Sequence, residues 1–172
     1  MDLREEILAE HSKTQAHKIL QWVGVSQKRF DELVQLFLND EYRVVQRAAW
    51  PIGSIGETQP QLLKKHLPVF VSLLRKPGLH NAVRRNIIRL LQYVHIPESL
   101  KGQVMDACFV FICDPKEAPA VKAFSLTILD RLSAEYPEII PEIITVIETR
   151  WPYETAAFHS RAKKILKQQR RN

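Results

Sequence analysis

The chain repeats itself, and the period of the repeat is its strongest constraint. "VVQRAAWPIGSIG" (44–56), "AVRRNIIRLLQYV" (82–94), "AVKAFSLTILDRL" (120–132) and "AFHSRAKKILKQQ" (157–169) line up position by position. Val45, Val83, Val121 and Phe158 form one apolar column and Ile52, Leu90, Ile128 and Ile165 another, at offsets of 38, 38 and 37 residues. "KILQWVG" (18–24) parallels "RLLQYVH" (89–95) and joins the series if its unit is about five residues shorter. Between these segments lie further apolar runs, "FDELVQLFL" (30–38), "LPVFVSLL" (67–74), "VMDACFVFI" (104–112) and "IPEIITVIETRW" (140–151), in which Leu33, Val71, Phe109 and Val146 make a third column. Turn formers separate the runs at Asn39-Asp40, Pro77-Gly78, Asp114-Pro115 and Pro152. A helix, a short turn and a second helix, repeated, cannot bury its apolar face one pair at a time, so the pairs must stack. The expectation is an all-α chain, an α-solenoid of four to five helix pairs. It forms one repeat domain over 1–172, with repeats near 1–25, 26–61, 62–100, 101–137 and 138–172.

Composition agrees. Hydrophobic residues make up 45% of the chain and glycines number only five, which favours long helices over a turn-rich β fold. No apolar run approaches the roughly 20 residues of a membrane span, so no membrane partner is expected. The first eleven residues, "MDLREEILAEH", carry charge throughout, as a signal peptide does not. Cys108 and Cys113 have neither disulfide nor zinc spacing and are expected to be buried free thiols in a cytoplasmic protein. The net charge of +6 is polarised: residues 1–40 carry −2, 41–100 carry +6, 101–160 carry −4 and the last twelve +6.

Pro51 interrupts the best copy of the repeat, where a helix-interior proline removes a donor, crowds the preceding turn and costs about 3 kcal/mol. The segment around it nonetheless resembles the second helix of a HEAT repeat: a valine, an arginine, paired alanines, then leucine-glycine-x-leucine-glycine. Ala48, Ala49, Ile52, Gly53, Ile55 and Gly56 match that pattern, with Gln46 for the usual arginine and Pro51 for the usual alanine. Asp40, six residues before Gln46, stands where the family often has an aspartate. The resemblance implies an α-α superhelix whose second helices line a concave face that binds the partner, with Gly53 and Gly56 packing between close helices. Pro51 then marks a bend inside a repeat helix held by its neighbours, not a helix end.

If Val45, the alanines and Ile52 are core, positions 46, 47, 50, 51 and 54 point outward or across the groove. The column at 46 reads Lys13, Gln46, Arg84, Lys122 and His159. That at 47 reads Thr14, Arg47, Arg85, Ala123 and Ser160, and that at 51 reads Lys18, Pro51, Arg89, Thr127 and Lys164. No acid occurs in any of the three, so Arg47, Arg84, Arg85, Arg89, Lys122 and Lys164 are the candidate binding residues, a basic ridge suited to acidic protein or to phosphates. Arg84 also occupies the position whose arginine, in the family, bonds between neighbouring repeats. Trp50 and Tyr93 are the candidate groove aromatics, with Trp22 the counterpart of Tyr93. The terminal "SRAKKILKQQRRN" combines an apolar stripe, Ala162, Ile165 and Leu166, with outward Lys163, Lys167, Arg170 and Arg171, as a capping repeat requires.

No acid/base pair, metal-ligand spacing or activated nucleophile appears, and Glu6, Glu10 and His11 read as a solvated helix face. The expectation is therefore a non-enzymatic scaffold without cofactor that binds a protein partner. The alternative is DNA or RNA binding in the manner of HEAT-like DNA glycosylases of alkylation repair, which would call on Trp50, Tyr93 and Asp130, with Arg85 and Arg89 on phosphates.

Overall fold

A computed structural model describes residues 1–169 of the chain. Ten α-helices, and no strand among the described residues, form five consecutive pairs. In order they are α1 (Leu3–Ala9) with α2 (Lys13–Val23), α3 (Gln27–Asn39) with α4 (Tyr42–Thr58), α5 (Leu67–Leu73) with α6 (Asn81–Leu91), α7 (Glu98–Cys113) with α8 (Pro119–Ser133), and α9 (Ile140–Arg150) with α10 (Ala156–Gln169). The backbone divides into two compact units, 1–95 and from 96 on, holding three pairs and two pairs.

Local chemistry sets the helix ends. Asp2, Ser12 and Ser26 cap α1, α2 and α3 by accepting the backbone N–H of Glu5, Gln15 and Arg29. Gly24 and Gly78 adopt φ of 51° and 69°, a left-handed backbone that lets the chain turn after α2 and before α6.

In the first unit α4 is the hub. It packs against α1, α2, α3 and α6, and Val44, Ala48, Ala49, Pro51, Ile52, Gly53, Ile55 and Gly56 are all buried. Small residues are required there because α6 comes very close. A Cβ added at Gly56 would lie 2.7 Å from the Cα of Leu90, and one at Gly53 2.5 Å from the side-chain oxygen of Asn86. Pro51 leaves α4 unbroken from 42 to 58, so packing on every side outweighs the lost donor. It is buried, not outward as the column expectation had it, whereas Val45 is only half-buried. In the second unit α8 plays the same part, contacting α7, α9 and α10. Phe158, Ala162 and Ile165 of α10 are buried.

The second-helix columns keep their register: Ile52, Leu90, Ile128 and Ile165 are all within 3% of full burial. The first-helix column does not. Leu33 and Val71 are buried, but Phe109 and Val146 are only half-buried. The buried series is instead Leu33, Phe70, Ala107 and Ile143. Carrying the second-helix offset into the first helices ignores the differing turn lengths, and a slip of even one residue turns a helical side chain by about 100°. Cys108 is buried, but Cys113 at the end of α7 is exposed, contrary to the expectation for both thiols.

Gly56→Ala is expected to lower stability by about 1–3 kcal/mol, because backbone atoms of α6 block the added methyl. Gly102→Ala in α7, where nothing lies within 4 Å of the added carbon, is expected to raise it by about 0.5–1 kcal/mol. Urea denaturation of the two variants checks both signs.

Candidate functional site on the second helices

Stacking helix pairs brings together side chains about one repeat apart in sequence, and most of the polar bonds between elements have that separation. Arg4 Nε donates to Asp40 (2.9 Å) at a separation of 36 residues, so the aspartate position of the resemblance is filled by a residue that ties α1 to the start of α4. Asp31 of α3 accepts from Lys65 (2.5 Å) and bonds the His66 ring (2.8 Å), 34 and 35 residues on. Lys101 of α7 bonds both Glu98 (2.8 Å) and Glu135 and sits 5.6 Å from the centre of the Tyr136 ring.

This ladder takes up much of the basic ridge. Arg47 of α4 donates to the carbonyls of Ile7 and Leu8 (3.3 and 2.6 Å), closing the last turn of α1, where a cation also meets the negative end of the helix. Arg89 of α6 donates through Nε and Nη2 to one oxygen of Glu57 on α4 (2.8 and 2.5 Å). Arg84 is half-buried and engaged. Lys122 is 2% exposed, with its ammonium 2.7 Å from Glu154, so it does not stand on an accessible ridge. Arg150 donates twice to the same Glu154 oxygen (2.9 and 2.8 Å), and the carboxylate is 4% exposed between the two cations. Arg85 and Lys164 are exposed. Lys164 lies within electrostatic reach of Asp130 on α8, whose carboxyl is pushed up by partial burial and drawn back by that lysine.

Trp50 is half-buried, edge-on to His11 at 5.7 Å between ring centres. With Arg47, Glu10 and Gln15 it lines a cleft of about 10 Å³, room for no more than about one water molecule. Tyr93 is 50% exposed in the turn just past α6. Its counterpart Trp22 carries the Arg29 guanidinium 5.3 Å from its ring centre. The structure thus gathers Arg47 with Trp50, and Arg89 with Glu57, in the first unit. Lys122 and Lys164 belong to the second. Lys163 and Lys167 are exposed on α10, whereas Arg170 and Arg171 lie outside the described residues.

The acids Glu57, Glu135 and Glu154 are what column reading along the second helices misses, since they stand at helix ends and in turns. Their signal in sequence is opposite charge at a separation of 32 to 34 residues, a spacing as informative here as the apolar period. Among the described residues no group of three or more histidines, cysteines and acids converges as a metal site would require, and no helix is long and apolar enough to cross a membrane.

A family model described as a HEAT repeat domain matches residues 3–169. Among curated proteins, none matches the chain.

Glu154→Gln is expected to cost about 3–5 kcal/mol, because it leaves two cations without their buried counter-charge. Lys122→Met is expected to cost less, since Arg150 still satisfies Glu154; thermal denaturation compares them. Asp31 supplies a pH signature. Burial alone would raise its pKa, but hydrogen bonds from Lys65, Gln27 and His66 outweigh that and bring it from 3.8 to about 2. Because the folded pKa is the lower, this stabilisation is present above about pH 4 and lost as pH falls toward 2. In acid titrations followed by circular dichroism, Asp31→Asn is expected to flatten stability across that window.

Proposed function

The chain belongs to the HEAT-repeat family, a helical repeat scaffold of the kind usually involved in protein interaction, and from that premise we propose that it is a non-enzymatic docking module whose second-helix surface holds an acidic segment of a partner protein. The observation that carries the reading is the division among the ridge cations. Arg47, Arg89 and Lys122 are bound to groups of their own chain and Arg84 is engaged, while Arg85 stays exposed on α6 and Tyr93 on the turn beyond it. An exposed arginine on α6 and an exposed tyrosine on the turn beyond it suit a protein surface, where aromatic and arginine anchors supply most of the binding energy. Of the six ridge cations only Arg85 and Lys164 are exposed, so the ridge itself offers a phosphate backbone few charges to neutralise. The reading also favours no catalytic role for Asp130. Its carboxyl is half-buried beside Lys164, and Trp50 packs on His11 instead of facing a base-sized space.

Fluorescence anisotropy with a labelled glutamate-rich peptide and a labelled DNA duplex, across a salt series, tests this. The peptide is expected to bind wild type and to lose about tenfold or more in affinity for Arg85→Glu/Tyr93→Ala, with the duplex unbound near 150 mM salt. Duplex binding that is tight there and falls steeply with added salt would overturn the protein reading in favour of nucleic acid.

A further inference from the structure

Three histidine rings make hydrogen bonds among the described residues, and one of them uses its nitrogen the opposite way. His66 bonds the Asp31 carboxylate and His159 the Trp151 carbonyl, at 2.8 and 2.9 Å. Both oxygens can only accept, so each ring donates through its Nε2–H, and a second proton removes nothing from either bond. His80 accepts. Its Nδ1 takes the backbone N–H of Ala82 at 3.0 Å, which puts the proton of the neutral ring on Nε2.

That bond is a helix cap. His80 has φ −58° and ψ 135°, outside the helical region, while its carbonyl already accepts the N–H of Arg84 as the first bond of α6. Its side chain does for α6 what Asp2, Ser12 and Ser26 do for α1, α2 and α3. Hydroxyls accept at any pH, and carboxylates down to about pH 4. An imidazole ordinarily takes up its second proton between about pH 8 and 5. Once it has, Nδ1 carries a hydrogen in place of its lone pair and cannot accept, and the new charge meets the positive end of the α6 dipole. Protonation and capping exclude each other.

The surroundings hold no charge that would rescue the cap. α6 packs on α4 and α5. From α4 the Tyr42 ring stands edge-on to the imidazole, 4.6 Å between centres, with Glu41 and Arg43 on either side of it in the chain. Arg75 and Lys76 lie between α5 and His80, and Arg84 and Arg85 follow on α6. Glu41 is the acid of that set, and it lies 3.4 Å from Arg4. No carboxylate among the described residues bonds the His80 ring. A charged imidazole therefore has no counter-ion in place.

We propose that His80 is a pH-sensitive latch on the first turn of α6, closed while its ring is neutral and released when acid protonates it. The sign follows from linkage. The uncapped turn accommodates the second proton and the capped turn does not, so the cap holds above the titration of the ring and is lost below it. The latched turn leads directly to Arg85, exposed on the same helix. Release loosens the segment that presents this cation, a consequence that rests on Arg85 being a docking residue, whereas the latch itself does not.

Nuclear magnetic resonance on the full chain reads both sides of this exclusion, the His80 ring and the Ala82 backbone amide. From about pH 7.5 to about 5, the wild-type Ala82 amide is expected to shift with the same midpoint as the ring. Its exchange with water, corrected for the intrinsic pH dependence, should rise about fivefold. His80→Asn keeps an acceptor that does not titrate, so its Ala82 amide should stay constant over that range, and His80→Ala should exchange fast throughout. The acid loss at Asp31 begins only below about pH 4, outside this window. An Ala82 amide that ignores the ring titration, or that responds equally in His80→Asn, overturns the proposal. The wild-type titration decides this even where circular dichroism finds a variant unfolded. The glutamate-rich peptide then tests the consequence: wild type should bind it more weakly than His80→Asn at about pH 5.5 and equally at about pH 7.5. Affinities that match at both, with the Ala82 amide responding in wild type, overturn the coupling to docking. A peptide that never binds wild type defeats the docking reading alone, and the amide titration still decides the latch.

Discussion

Two second helices lying almost backbone to backbone set the terms for the first unit. The Cα of Leu90 leaves no room for even a methyl at Gly56, and this closeness makes one continuous core out of α4 and α6. It also explains why α4 tolerates Pro51. A helix covered by α1, α2, α3 and α6 owes its persistence to packing, and one missing hydrogen bond is small against the burial of eight residues. Close stacking has an electrostatic consequence as well. Long cationic side chains on neighbouring helices are drawn to the joints, where desolvation makes an unpaired charge costly and a paired one tolerable. Hence Arg89 finds Glu57, Lys101 finds Glu135 and Lys122 finds Glu154, each about one repeat away.

The apolar arithmetic of the sequence carried most of the fold. The columns through Ile52, Leu90, Ile128 and Ile165 depend only on helical period and repeat length, and both survive folding intact. The first helices were less legible because turn length decides their phase. Phe109 matches Leu33 and Val71 by count yet is only half-buried, since the turns do not keep the offset of the second helices. The candidate site was legible as residue types but not as availability. Arg47 and Lys122 read as ridge cations because their partners lie off the columns: two backbone carbonyls that no sequence pattern marks, and Glu154 in the turn before α10. Arg85 and Tyr93 are exposed, and Glu57 of α4 is taken by Arg89.

A repeat scaffold of this kind separates cohesion from recognition by position. Charges at the joints hold helix pairs together, and only those that miss the joints can meet a partner. That division explains how a chain with +6 net charge keeps several of its cations bound to groups of its own.

The central claim is that the basic columns are split between buried structural cations and exposed ones, and lysine reactivity reads that split most directly. Limited acetylation of the folded chain, followed residue by residue with mass spectrometry, is expected to modify Lys13 and Lys164 quickly. Lys101 and Lys122, at 5% and 2% exposure, should be protected until the chain unfolds. Lys122 reacting as fast as Lys164 in the native protein would contradict the account, because its ammonium would then be available to a partner and not committed to Glu154.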